Sequence, residues 1–184
     1  MEYTKQEGKK LLKLARESIE EEFTGKKPEI LEKLKEKKFQ EKRGVFVTLK
    51  KHGELRGCIG FPYPSLPLIE AIQQAAKSAA FSDPRFFPLQ KSELKDIEIE
   101  ISILTLPKKC KPEEIEIGKD GLICEYNGNS GLLLPQVAVE WRMSREEFLE
   151  ALCEKVGLSS EAWKKPGFKL YKFSCKIFSE KKDI

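Results

Sequence analysis

The sequence predicts an α+β protein, mainly antiparallel sheet flanked by helices, and three observations carry that reading. Apolar side chains alternate with period two in paired segments joined by tight turns, the pattern of hairpins. Other segments place apolar residues three and four apart, which marks amphipathic helices standing between the hairpins. Hydrophobic residues make up 40% and charged residues 35% of the 184, enough for one sizeable core under a heavily solvated surface.

Thr4 with Glu7 forms a capping box ahead of Gly8, Leu11, Leu12, Ala15, Ile19 and Phe23, so a helix is expected from about Lys5 to Phe23. Gly25 to Pro28 end it. Ile30, Leu31 and Leu34 mark a short helix at most, and Lys35 to Arg43 reads as a solvated face of mixed charge. Val45, Val47 and Leu49 then alternate with Phe46 and Thr48, the chain turns at Lys50 to Glu54, and Leu55 to Phe61 returns as a second strand. Pro62, Pro64 and Pro67 stop the sheet. Leu68, Ile69, Ile72, Ala75, Ala76 and Ala79 form the stripe of a helix whose small side chains permit close packing. Ser82 to Pro88 is a loop, because each proline biases its predecessor away from helix. Ile97, Ile99, Ile101 and Ile103 make a half-buried strand, and Leu106 to Glu116 a polar connection.

Gly121 to Tyr126 and Ser130 to Leu134 flank Asn127-Gly128, a strong hairpin signal that opens a second β unit. Pro135 suits the first turn of a helix carrying Gln136, Val137, Val139 and Glu140. Ser144 with Glu147 caps another, with Phe148, Leu149, Leu152, Cys153 and Val156 on one face and Gly157 at its end. Tyr171, Phe173, Cys175 and Ile177 alternate through a last strand before the charged tail from Glu180 to Ile184.

Composition excludes several function classes. Lys+Arg 34 against Asp+Glu 30 leaves a net charge of +4 with the signs interspersed, too weak a field to imply nucleic acid or an anionic membrane as partner. No window approaches the roughly 18 apolar residues of a membrane span, and Met1 to Lys5 lead into a charged helix instead of a signal peptide, so the expected location is the cytoplasm. The five cysteines, Cys58, Cys110, Cys124, Cys153 and Cys175, are odd in number and scattered, which fits reduced thiols and no metal site. The single histidine, His52, sits in the hairpin tip Lys51-His52-Gly53-Glu54 and reads as solvated turn, which removes imidazole-centred chemistry. No cofactor and no oligomeric state is assigned.

The candidate site is Leu55-Arg56-Gly57-Cys58-Ile59-Gly60. Residues two apart in a strand share a face, so Arg56 and Cys58 are expected together, with Leu55, Gly57 and Ile59 pointing into the core. A guanidinium beside a thiol favours thiolate, the form that acts as nucleophile. Gly57 and Gly60 mark a bulge or a close approach to the backbone. Equally, Cys58 fits as a small buried hydrophobe and Arg56 as a structural ion-pair partner. Arg85, on the loop with Asp83, supplies either a second anion-binding fork or a loop staple to Asp83. Gln136 and Glu140 lie four apart on one helix face, with Glu140 a candidate general base; capping and pairing to an arginine is the structural alternative. Cys153 and Cys175 fall on apolar stripes as core, and Cys110 reads as an exposed thiol with no orienting partner.

Gly44 to Leu49 followed by Leu55 to Gly60, Ala80 to Phe86, the strand Ile97 to Thr105, Gly131 to Ala138 and Phe148 to Leu158 together resemble the AMMECR family over nearly the whole chain. The resemblance implies a single domain over residues 1–184, an α+β fold with a larger and a smaller lobe and a cleft near the Leu55–Gly60 motif. Members occur fused to domains of the Memo and radical-SAM types, and a regulatory role has been supposed for eukaryotic ones. The family signature carries over to Arg56, Gly57, Cys58, Gly60, Asp83, Arg85, Gln136 and Glu140 as positions without roles.

Three functions are then expected in order. The first is a small enzyme or redox protein with Cys58 as nucleophile, Arg56 and Arg85 holding a small anionic substrate and Glu140 accepting a proton; Gly57, Gly60, Asp83 and Gln136 complete the binding surface. The second is a binding or adaptor module for a protein or small anion. Nucleic-acid binding through Lys33 to Arg43, with Phe39 its one aromatic, ranks last.

Overall fold

The computed structural model describes residues 3–180. It divides into two compact units, one built from residues 3–104 with 176–180 and the other from Thr105–Cys175. Each has its own four-stranded antiparallel sheet and its own hydrophobic core, an α+β architecture.

In the first unit, α1 (Lys5–Thr24) starts at the capping box, with Thr4 and Glu7 bonding each other's amides, and stops where Gly25 enters the left-handed region at φ 68°. α2 spans Leu68–Phe81. The strands β1 (Val45–Lys51), β2 (Glu54–Phe61), β3 (Ile97–Leu104) and β8 (Cys175–Ser179) form a sheet in the order β2-β1-β3-β8. Val45, Val47 and Leu49 with Ile97, Ile99, Ile101 and Ile103 bury one face of that sheet against Leu11, Ala15, Ile72, Ala75 and Ala76 of the two helices. The opposite face carries Phe46, Thr48 and Lys50 beside Glu98, Glu100 and Ser102.

The β1–β2 hairpin turns on His52 (φ 52°) and Gly53 (φ 85°), and left-handed geometry at both central residues makes a two-residue turn that matches strand twist. Lys51 pairs with Glu54 and Lys50 with Leu55, but Leu49 then pairs with Gly57, so the register slips by one residue at Arg56. The slip is a β-bulge. It reverses the phase expected for Leu55, which lies 44% exposed and not in the core. Beyond the bulge, Gly57 faces α2, where a Cβ would collide with the carbonyl oxygen of Ala79.

Other expectations change in detail. Lys35 to Arg43 is not simply a solvated face: Phe39 is fully buried and stacks on Tyr3, Lys38 pairs with Glu7, and Arg43 pairs with Glu41. The segment around Ile30 is a short 3₁₀ turn, Glu29–Lys33. Glu180 belongs to the fold, since it accepts a bidentate pair from Arg16 and a bond from the Ile99 amide; residues 181–184 of the expected tail lie outside the described residues.

In the second unit, β4 (Lys108–Lys109), β5 (Gly121–Tyr126), β6 (Asn129–Leu133) and β7 (Lys169–Phe173) are ordered β4-β7-β5-β6. Asn127 (φ 48°) and Gly128 (φ 81°) form the β5–β6 turn. The helices α3 (Pro135–Glu140) and α4 (Arg145–Lys155) contribute Ala138, Phe148, Leu149 and Leu152 to a core with Leu122, Cys124 and Leu170. The expected polar connection contains the short strand β4 and the buried Ile115. The expected last strand is two strands, β7 and β8, that join different sheets on either side of Ser174. Its alternation therefore breaks there: Phe178 is buried, Ile177 is 43% exposed and Cys175 is half-buried.

Gly57→Ala is expected to destabilise the protein by about 1–3 kcal/mol, because the new methyl meets fixed helix backbone. A urea midpoint unchanged from wild type would show that β2 and α2 are not in such close approach.

Candidate functional site

β2 is an edge strand, so Cys58 has a backbone N–H and a C=O that no neighbouring strand satisfies. Both are met by one side-chain pair. The Cys58 N–H donates to Asp83 Oδ2 at 2.9 Å, and Arg85 Nη2 donates to the Cys58 carbonyl at 3.2 Å. Arg85 in turn grips Asp83 through Nε to Oδ1 at 3.0 Å and Nη2 to Oδ2 at 2.7 Å, and its backbone N–H donates to Oδ1 at 3.1 Å. Asp83 is 2% exposed and Arg85 54% exposed. The loop staple expected as one alternative is thus present, and it also holds the strand.

The Asp83 carboxyl is pulled well below the ordinary carboxylate range, chiefly by Arg85 and against the effect of its burial, with the Cys58 and Arg85 amides helping. A buried carboxylate with this many donors stays ionised because each donor favours the charged form.

Arg56 goes elsewhere. Its Nε and Nη2 reach Glu93 Oε1 and Oε2 at 3.1 and 2.9 Å, and Lys51 reaches the same carboxylate at 2.8 Å. Lys51 lies two residues beyond the buried Leu49 and so shares its side of β1, which sets Arg56 on the helix side of the sheet. Arg56 and Arg85 also lie over the Phe86 ring, at 6.0 and 5.5 Å from its centroid. Arg56, first, and then Lys51 and the Gln90 amide, bring Glu93 from an ordinary 4.5 down to about 2.

Cys58 is half-buried on the opposite side, its Sγ 3.2 Å from Thr48 Oγ1. The expected shared face of Arg56 and Cys58 is therefore not formed. The bulge at Arg56 separates them, and Arg56 takes the structural ion pair. Gly60 backs onto the Phe46 ring, which leaves no room for a side chain.

Gln136 and Glu140 belong to the second unit. Gln136 sits at the start of α3 without capping it; its Nε2 lies 3.8 Å from Cys175 Sγ, and its buried Oε1 has no partner among the described residues. Glu140 ends α3 exposed and makes no ion pair among the described residues, so neither residue pairs with an arginine. Cys110 is not the exposed thiol expected: it packs against the second core, and burial pushes its thiol up to about 11. Burial likewise raises Cys124 to about 11 and raises Cys153. No group of three or more His, Cys, Asp or Glu among the described residues is arranged to hold a metal ion. Among the described residues, no helix is long and apolar enough to cross a membrane.

Sequence reasoning missed Glu93, Thr48 and Phe86. Thr48 was recoverable from hairpin pairing once the slip at Arg56 is allowed; Glu93 lies far along the chain and carries no local signal.

The AMMECR1 family profile matches residues 12–178. The chain belongs to the AMMECR1 family. It is 46% identical over 184 residues to a protein of Methanothermobacter thermautotrophicus, covering 96% of each chain. It is 47% identical over 186 residues to protein MJ0810 of Methanocaldococcus jannaschii, covering 96% of this chain and 92% of the relative. The crystal structure of the uncharacterized protein PH0010 from Pyrococcus horikoshii superposes with a TM-score of 0.80 at 43% identity, covering 95% of this chain and 91% of that one.

Asp83 and Glu93 both have folded values below their unfolded ones, so their ion pairs stabilise fully above the ordinary carboxylate range of about 4 and lose that effect as pH falls through the folded values. The urea midpoint is expected to fall steeply from about pH 4 toward pH 2. Glu93→Gln should be less stable at neutral pH and show a shallower acid decline. An identical pH slope in wild type and Glu93→Gln would contradict the pairing.

Proposed function

We propose that this AMMECR1 domain is a small cytosolic protein with a cysteine-centred site, in which Cys58 is the working thiol and Arg85 meets an anionic group of a small substrate. The observation that carries this reading is the contrast among the thiols. Burial pushes up the thiols of Cys110, Cys124 and Cys153, and Cys58 is half-buried beside the Thr48 hydroxyl on backbone held at both its N–H and its C=O. Arg85 suits the anion contact because more than half of its side chain faces solvent while its inner edge is fixed on Asp83. Arg56, committed to Glu93, positions the strand and does not bind substrate.

As a nucleophile, the thiol gives its proton to water, Sγ forms a bond to an electrophilic carbon, and the group on that carbon leaves with its bonding electron pair.

A non-catalytic binding module is the second reading, favoured by one observation: among the described residues, the side chain within hydrogen-bond reach of Cys58 Sγ is Thr48, which is not a base. Nucleic-acid binding stays last, since Phe39 is buried in the core and unable to stack on a base.

Alkylation of the folded protein, read cysteine by cysteine by mass spectrometry, separates the first two. Cys58 is expected to react ahead of Cys110, Cys124 and Cys153. Its preference for iodoacetate over iodoacetamide is expected to drop in Arg85→Gln. An inert Cys58, or an unchanged preference in Arg85→Gln, would remove the thiol reading and leave the binding module.

A further inference from the structure

We infer that the Asp83–Arg85 pair is an edge guard: it occupies the place of a ninth strand at Cys58 and so keeps the open edge of β2 from pairing with β2 of a second copy of this chain. A strand added to an antiparallel edge offers each outward residue one acceptor for its N–H and one donor for its C=O. Asp83 Oδ2 and Arg85 Nη2 offer Cys58 the same two groups at 2.9 and 3.2 Å. The two side chains act as one piece, since Arg85 grips Asp83 through both Nε and Nη2.

The rest of the edge shows why a guard matters. β2 has eight residues, Glu54–Phe61, with Cys58 near its middle. The bulge at Arg56 disrupts the edge on one side and Pro62 ends it on the other. Leu55 on the strand and Tyr63 just beyond it are 44% and 42% exposed, so both flanks offer apolar contact, with Glu54 at the strand's first position the exposed charge beside Leu55. A second copy is the occupant that fits, because antiparallel pairing of one edge with itself about a two-fold axis is self-complementary and needs no other chain. The mass by light scattering reads this pairing whether or not the Cys58 thiol reacts.

The test is the oligomeric state of the full chain by light scattering over a range of concentrations, with a short bismaleimide to join thiols brought close. Wild type is expected to stay a single chain. Arg85→Ala is expected to keep its circular dichroism, to shift toward the mass of two chains as concentration rises, and to give Cys58–Cys58 cross-linked peptides. Leu55→Lys added to Arg85→Ala should return it to a single chain, because it places a charge on the pairing edge. Arg85→Lys, which keeps the charge beside Asp83 but lacks the fork that reaches Cys58, tests the same point should Arg85→Ala fail to fold, and is expected to dimerise in part. Folded variants that remain single chains without the Cys58 cross-link, or a wild-type protein already paired through Cys58, would overturn the inference.

Discussion

A carboxylate buried at the end of α2 organises the motif. Asp83 is almost wholly inaccessible, and burying a charge there without donors would cost several kcal/mol. Its two oxygens instead receive the Cys58 amide, the Arg85 amide and two guanidinium bonds. The loop after α2 is thereby tied to the middle of β2, and α2 itself can close on Gly57 because no side chain stands between the strand and the Ala79 carbonyl. The position of Cys58, the exposure of Arg85 and the finish of the sheet edge all follow from that set of bonds.

The second constraint is the bulge. The two left-handed residues of the turn fix the pairing at Lys51 with Glu54 and Lys50 with Leu55, and a regular hairpin would go on to pair Thr48 with Gly57. Inserting Arg56 moves Gly57 onto Leu49 and Cys58 onto Thr48, while Leu55, opposite Lys50, faces solvent and Arg56 reaches Glu93 on the helix side. The two arginines of the motif consequently take separate carboxylates and meet over Phe86, one largely buried in structure and the other turned to solvent.

Much of this was legible in the chain. The capping boxes at Thr4 and Ser144, the Asn127-Gly128 turn and the isoleucine alternation of β3 each rest on local chemistry that acts within a few residues, and each is formed. The stripe of alanines in α2 foretold close packing on the sheet, and the glycines of the motif foretold close backbone approach. What stayed hidden depends on contacts between distant residues. Alternation assumes an unbroken pleat, so it misplaced Leu55 and ran β7 and β8 together, although at Ser174 the chain leaves one sheet for another. Polarity assumes that charged surroundings mean solvent, so it misjudged Phe39 and Cys110, whose cover comes from residues elsewhere in the chain. The Asp83–Arg85 staple is one of the two alternatives that its two-residue spacing offers; its hold on Cys58 carries no such local signal, because strand pairing has first to show that β2 is an edge.

Residue-resolved hydrogen exchange of the Cys58 amide examines the central bond directly. In wild type this edge amide is expected to exchange as slowly as the paired amides of β1, and in Asp83→Asn much faster, with the rest of the sheet still protected. A Cys58 amide that exchanges in wild type at the rate of an open strand edge would contradict the hold of Asp83 on β2, and with it the arrangement of the whole motif.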